Sequence, residues 1–378
     1  MNPNLAKLQP YPFEKLRALT AGNAPPAKLA PINLSIGEPK HPTPALVKEA
    51  LASSLDGLAA YPATAGTPEL RRAVAAWLAQ RYGIRAPDPQ TEVLPVNGSR
   101  EALFAFAQTV IDPVPGARVV CPNPFYQIYE GAAILAGAVP VYGEPESWEG
   151  VQLVYACSPA NPSGRVMSLD EWRRLFELSD RHGFAVASDE CYSEIYFDTP
   201  PLGALEACRK IKRGYERLVV FSSLSKRSNA PGMRSGFVAG DAALIAKFLL
   251  YRTYHGSAMS LAVQRASVAA WNDEAHVREN RRLYAEKFRA VLPLIGRPLE
   301  TRMPDGGFYL WVRTPIDDAE FAQRLHSQEN VLVLPGSFLA RSVNGRNPGA
   351  NHVRIALVAP LEECLEAARR IMRFAQSL

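Results

Sequence analysis

The stretch Ser223-Leu-Ser-Lys226-Arg-Ser-Asn-Ala-Pro231-Gly232-Met-Arg234-Ser-Gly236 follows directly on the apolar run Leu218-Val-Val-Phe221. A run of this kind, short and rich in branched residues, reads as a buried strand. Lys226 then leaves its carboxyl end, where open parallel sheets bind ligands. A lysine amine in that place can condense with an aldehyde. Ser223, Ser225 and Arg234 supply donors for a phosphate, and Arg234 offers a permanently charged planar fork. An aldehyde that carries a phosphate suggests pyridoxal phosphate. A solvated basic loop would use the same residue types, so the rest of the chain has to decide.

Outward from this point the chain alternates short apolar segments with amphipathic ones. Arg118-Val-Val-Cys121, Leu153-Val-Tyr-Ala156, Phe184-Ala-Val-Ala187 and Leu218–Phe221 read as strands of a mainly parallel sheet covered by helices. Thr67-Pro68-Glu69 and Ser168-Leu-Asp-Glu171 are helix starts. The first 45 or so residues, broken by Pro10, Pro12, Pro25 and Pro26, read as an extended arm. Helical periodicity runs from about Val263 to Ile295 and should carry the chain out of the sheet. Gly307–Val312 and His352–Leu357 are strand-like and a terminal helix follows, as in a smaller α+β domain. The expected division is 1–46 for the arm with part of the small domain, 47–280 for the large ligand-binding domain and 281–378 for the small domain.

With 378 residues, 47% of them apolar, the chain can bury more than one core. Its net charge of +5 comes from 42 basic and 37 acidic residues that are interspersed, which argues against a nucleic-acid or membrane-surface partner. The beginning lacks the pattern of a signal peptide and no apolar run reaches membrane-spanning length, so a cytoplasmic location is expected. Five cysteines without Cys-x-x-Cys spacing give no sign of a metal site or a disulfide framework.

Pyridoxal chemistry needs more than a lysine, and each further part has a candidate near a strand end. Asp189 can pair with a ring nitrogen, since a buried aspartate without a cation would be costly. Tyr192 and Asn161 can donate to a ring oxygen, although Asn161-Pro-Ser-Gly164 also reads as a plain turn. Asn97-Gly98-Ser99-Arg100 feeds a helix whose free amides suit an anion, or is an ordinary cap. Tyr126 can stack on a ring or fill the core.

Taken together, Ile36-Gly37-Glu38-Pro39, Tyr61 five residues before Gly66-Thr-Pro68-Glu-Leu-Arg71, Asn161-Pro162-Ser-Gly164, Ser188-Asp189-Glu190-Cys-Tyr192, Ser223-Leu-Ser-Lys226 with Arg234, and Val353-Arg354 resemble the fold-type I, class I/II aminotransferases along essentially the whole chain. The resemblance implies that Lys226 holds pyridoxal 5'-phosphate, Asp189 pairs with its ring nitrogen, and Asn161 and Tyr192 contact its ring oxygen. Gly98, Ser99, Arg100, Ser223 and Arg234 would bind phosphate. Arg354 would grip the substrate carboxylate, Gly37 would lie over the substrate, and Tyr61 would reach the phosphate of a neighbouring subunit in a homodimer with shared active sites. Gly37-Glu-Pro-Lys40-His41-Pro-Thr-Pro44, Pro122–Glu130 and Leu250–Ser260 are similar to the N-succinyldiaminopimelate aminotransferases. Their substrate carries three carboxylates, which Lys40, Arg100 or Arg227 could help to bind. Ser163 departs from the usual threonine and Lys40-His41 from the commoner acidic-aromatic pair. Alanine, aspartate or aromatic transamination, carbon-sulfur lysis, or a cofactor-binding sensor remain alternatives on the same motifs.

Overall fold

The computed structural model describes residues 1–378. The chain opens with α1 (Pro12–Thr20), β1 (Ile32–Asn33), α2 (Ala45–Ala52) and α3 (Pro68–Tyr82). Strands and helices then alternate through β2 (Val93–Val96), α4 (Ser99–Val110), β3 (Arg118–Cys121), α5 (Ile128–Leu135), β4 (Val139–Tyr142), β5 (Val151–Cys157), α6 (Leu169–His182), β6 (Ala185–Asp189), α7 (Ala204–Ile211), β7 (Leu218–Ser223), α8 (Leu224–Arg227), β8 (Gly236–Gly240) and α9 (Ala242–His255). After α10 (Leu261–Asn272) and α11 (Ala275–Val291) come β9 (Tyr309–Arg313), α12 (Asp318–Glu329), β10 (Val331–Leu332), β11 (Leu334–Pro335), β12 (His352–Ala356) and α13 (Leu361–Gln376).

Strands β2 to β8 form one seven-stranded sheet in the order β2-β8-β7-β6-β5-β3-β4. Only β8 runs against the others, between β2 and β7. The four strands read from sequence are present, and β2, β4 and β8 join them. Pro95 and Pro140 obscured two of these, and both prolines lie on the sheet's outermost strands, where a missing ladder donor is tolerated. Alternate side chains of β5, β6 and β7 enter two cores. Val154, Val186 and Val220 pack with Trp77, Trp172 and Phe176, whereas Tyr155, Ala187 and Phe221 pack with Phe106 and Tyr129. Burial on both faces is why these strands read as continuous apolar runs.

The expected helix starts form as the chemistry requires: Thr67 Oγ1 accepts from Leu70 N at 3.3 Å, and Ser168 and Glu171 exchange side-chain-to-backbone bonds at 3.2 and 2.8 Å. Two expectations are corrected. The arm is not extended throughout, because Pro12 opens the nine-residue α1, where its missing N–H costs nothing, and Glu14 accepts from Tyr11 N at 3.2 Å. The long helix expected over 263–295 is interrupted after Asn272, and the Asp273 carboxylate, just before α11, accepts from His276 N at 2.9 Å.

A third core surrounds the sheet β11-β12-β9, with Leu310, Val312, Ile355, Phe321 and Phe374 at its centre. Ile32 and Leu34 belong to it, because β1 pairs in parallel with β10 and Leu34 O accepts from Ala356 N at 2.8 Å. That stitching lays residues 35–39 beside Arg354. α11 carries the chain across residue 280. No helix is long and apolar enough to cross a membrane.

Candidate active site

A cavity of about 450 Å³ opens at the carboxyl ends of β5, β6 and β7. Gly37, Ser99, Arg100, Tyr126, Asn161, Asp189, Tyr192, Ser223, Ser225, Lys226, Arg234 and Arg354 all line it. Segments separated by more than 300 residues in the chain thus meet in one space.

Lys226 is placed by α8, the single turn that follows β7. Its Nζ donates to the Gly37 carbonyl at 2.6 Å. Burial lowers its pKa to about 8, with the Arg354 and Arg234 charges acting the same way and the Cys191 and Glu38 groups opposing. Near neutral pH about a tenth of the amine is then neutral, far more than for an ordinary lysine, and the neutral form is the one that attacks a carbonyl.

Asp189 ends β6 and is buried. Its carboxylate accepts from the Tyr129 hydroxyl at 2.7 Å and from Cys191 N at 3.2 Å, and no basic side chain pairs with it. Burial pushes its pKa up, partly offset by these donors. Tyr192 is buried, its hydroxyl 2.9 Å from that of Tyr309, and burial raises its pKa well above the usual phenol. Asn161 Oδ1 accepts from Arg354 Nη1 at 2.9 Å, and Arg354 Nη2 donates to Ser35 O at 2.8 Å. The guanidinium lies 4.3 Å from the Tyr309 ring centroid, and its Nε is buried without a partner. A Cβ at Gly37 would overlap the Tyr309 hydroxyl, so glycine lets the two pass closely here.

At the other end of the cavity, Ser99 begins α4, whose first amides are free. Gly98 precedes it with φ +85°, and a Cβ on it would run into the Arg234 guanidinium. Arg234 itself is left-handed at φ 51°, with Nη1 donating to Pro231 O at 2.9 Å. Ser223 and Ser225 are buried nearby. The Cys191 thiol lies between Ser99 Oγ at 2.9 Å and Ser223 Oγ at 3.9 Å.

Gly98 supports this pocket without lining it, and three other expected residues lie elsewhere. Tyr61 is fully exposed at 103% and Lys40 is exposed, and neither lines the cavity. Arg227 is not a free cation: it is buried, donates to Ala270 O at 2.7 Å and pairs with Glu274, with its guanidinium 4.7 Å from the Trp271 ring. Sequence reading gave no role to Tyr129, Tyr309, Cys191 or the α1 residue Tyr11, all of which bear on the site. Tyr129 stands one helical turn beyond Tyr126, which was the available signal. Tyr309 was hidden inside a strand that reads as core.

The donor set fits pyridoxal phosphate. A buried, uncompensated Asp189 suits a cationic ring nitrogen, free α4 amides with two serines and Arg234 suit a phosphate, and Lys226 suits an aldehyde. The Gly98 backbone leaves the room that a side chain would fill.

A family model described as aminotransferase class I and II matches residues 30–371. A crystal structure of an aminotransferase from Neisseria meningitidis superposes with a TM-score of 0.96 at 51% identity, covering 99% of this chain and 100% of that one. The LL-diaminopimelate aminotransferase of Aquifex aeolicus is 31% identical over 364 residues, 90% of each chain. The structure of a probable N-succinyldiaminopimelate aminotransferase from Thermus thermophilus matches with a TM-score of 0.85 at 28% identity, covering 96% of this chain and 100% of that one. The likeness to that Thermus protein thus stands at a lower identity than the likeness to the Neisseria and Aquifex aminotransferases.

Proposed function

Because the chain belongs to the class I and II aminotransferases, which depend on pyridoxal phosphate, we propose that it moves an amino group between glutamate and a keto acid of the diaminopimelate class, with N-succinyl-2-amino-6-ketopimelate as the acceptor. In reverse, N-succinyl-LL-2,6-diaminopimelate is the donor to 2-oxoglutarate. The observation that carries the transaminase reading is the joint placement of Lys226, Asp189 and Arg354 on one cavity of about 450 Å³.

When bound, pyridoxal phosphate supplies the aldehyde that takes up the amino group and a ring that accepts the electron pair released at the substrate α-carbon. Lys226 holds the cofactor and then, as a free amine, moves a proton to and from that α-carbon. Asp189 keeps a positive charge on the ring nitrogen, with Tyr129 fixing its carboxylate. Asn161 and Tyr192 donate to the ring oxygen, and Tyr126 packs on the ring. Gly98, Ser99, Ser223, Ser225 and Arg234 hold the phosphate. Arg354 binds the substrate carboxylate, where its unpartnered Nε gains an acceptor. Gly37 lets the chain pass close over the substrate.

The names of the Aquifex and Thermus relatives support a diaminopimelate skeleton. Arg100, on the cavity wall 5.4 Å from the Tyr11 ring, is the cation for a far carboxylate, with Lys40 as a second on the segment after Gly37. Free LL-diaminopimelate is the second reading, on the strength of the Aquifex name. A homodimer is part of the proposal: Leu55, Leu58 and Tyr61 expose apolar surface along one short stretch, and Tyr61 would reach the partner's phosphate. Glutamate formation from 2-oxoglutarate tests the substrate. We expect kcat/KM for the succinylated amino acid to exceed that for LL-diaminopimelate, aspartate, alanine and phenylalanine by about 100-fold. A preference for LL-diaminopimelate would select the second reading, and pyruvate release from cystathionine would point to lyase chemistry.

A further inference from the structure

Lys226 is tied to one short segment of chain directly at its tip and, through Asn280, at its root. Its Nζ donates to Gly37 O at 2.6 Å, and its own carbonyl accepts from Asn280 Nδ2 at 3.1 Å. The same nitrogen donates to Arg227 O at 3.4 Å. On its other side Asn280 Oδ1 accepts from Asn229 Nδ2 at 3.0 Å and is 2.9 Å from His41 Nδ1. Two carbonyls can only accept, so the Asn280 nitrogen must face them and its oxygen must face the imidazole. His41 therefore donates, and carries its proton on Nδ1.

His41 lies four residues beyond Gly37, so the contacts close into a ring that runs from the Lys226 amine through Gly37, His41 and Asn280 back to the Lys226 carbonyl. Asn280 is 4% exposed and comes from α11, whereas His41 comes from the N-terminal segment. A second tie joins the N-terminal segment to the loop that follows Lys226, Thr43 Oγ1 donating to Asn229 O at 2.6 Å. The imidazole packs on Tyr284 with ring centroids 4.6 Å apart, which limits its swing. Lysine has four rotatable bonds to its ammonium, and fixing both the root and the tip of that stem removes much of the freedom that a reaction would otherwise have to freeze.

We propose that Asn280 and His41 are positioning residues that lock residues 36–44 and Lys226 into one register, so that the amine is presented to the cofactor aldehyde in reactive orientation. The inference deepens the proposed function and rests on its assignment of Lys226.

The test uses the full-length protein freed of cofactor and mixed with pyridoxal phosphate, followed by visible absorbance and then by borohydride reduction and peptide mapping. Wild type should fix the cofactor on Lys226; if it does not, the assignment of Lys226 fails before any variant is made and takes this inference with it. In Asn280→Ala and His41→Ala the rate of cofactor capture should fall on the order of 10-fold, while one cofactor per chain is still fixed. The pH midpoint of the bound cofactor's visible band should also move by about one unit. His41→Asn, whose amide nitrogen stands near the place of Nδ1, should restore both readouts, and His41→Gln should not. Unchanged capture and an unchanged midpoint in the alanine variants would overturn the proposal. So would slow capture that follows a lowered melting temperature and is not restored by His41→Asn. If Asn280→Ala fails to fold, the three His41 variants decide the matter alone.

Discussion

The floor of the cavity and its roof are assembled by different means. Asn161, Asp189, Tyr192, Ser223, Ser225 and Lys226 all lie within four residues of the carboxyl ends of β5, β6 and β7, three neighbouring parallel strands. Backbone ladders therefore set the spacing of their main chain, and side-chain contacts such as Asn280 to the Lys226 carbonyl act on the orientation of what that frame carries. The roof has no such frame. Gly37, Tyr309, Arg354 and Tyr11 come from the N-terminal segment and the three-stranded sheet, and side-chain contacts such as Arg354 to Ser35 and Tyr192 to Tyr309 hold them over the floor. The floor should govern chemistry, and the roof should govern which substrate is held and how well.

The hardest test of that division is Lys226→Ala. It should lower transamination at least about 10³-fold and abolish the borohydride-stable link to cofactor. Activity within tenfold of wild type would break the comparison outright. Asp189→Asn should keep cofactor and lose about 100-fold in kcat, because the ring nitrogen loses its counter-charge. Stability should move the opposite way. The raised pKa of Asp189 means that the folded chain holds a proton which the unfolded chain releases, so stability falls as pH rises from the ordinary carboxylate value to the raised one. Asparagine removes that loss, and the cofactor-free variant should melt no lower than wild type at neutral pH.

Gly37→Ala probes the roof. A methyl group there overlaps the Tyr309 hydroxyl, so the segment or the Tyr309 ring, which packs on Arg354, must shift. KM for the amino acid should rise about 10-fold while cofactor content stays unchanged. Lost cofactor instead would show that floor and roof are not separable. Tyr129→Phe sharpens the floor. Removing a buried donor from Asp189 should cost about 1–3 kcal/mol and lower kcat by a smaller factor than Asp189→Asn does.

The division also explains what could be read from the chain beforehand. Floor residues follow apolar runs in the order in which the strands are laid down, so the motifs from Asn161 to Arg234 were legible as a set. The central strands were legible too, since burial on both faces leaves an unbroken apolar signature. Edge strands with Pro95 and Pro140 were not, and neither was α1, whose prolines read as breaks. Roof and support contacts escaped because their partners are remote: Tyr129 meets Asp189 across 60 residues, and Asn280 meets the Lys226 carbonyl across 54. Nothing local to Arg227 showed that Trp77, Trp271 and Glu274 would enclose it, so a core cation passed for a surface one.

The smallest effect compares two lysines, one in each region. Lys226 on the floor and Lys287 beneath the roof are both lowered to about 8, chiefly by burial, and neither pairs with a carboxylate. Lys287 Nζ donates only to Val358 O, at 3.2 Å. A lowered lysine is charged at a cost to the fold below its folded pKa. Between about 8 and 10.5 the unfolded chain binds more protons than the folded one, so stability rises with pH across that window. Five thiols and several phenols that burial pushes up lower stability over the upper part of the same range, so this lysine contribution is read as the melting difference between wild type and variants at pH 8 and pH 10. Lys226→Met and Lys287→Met should each flatten part of that rise and add on the order of 2 kcal/mol at pH 7. An effect confined to Lys287→Met would mean that the floor tolerates its charge through the polar groups poised for the cofactor, leaving the roof as the more strained half.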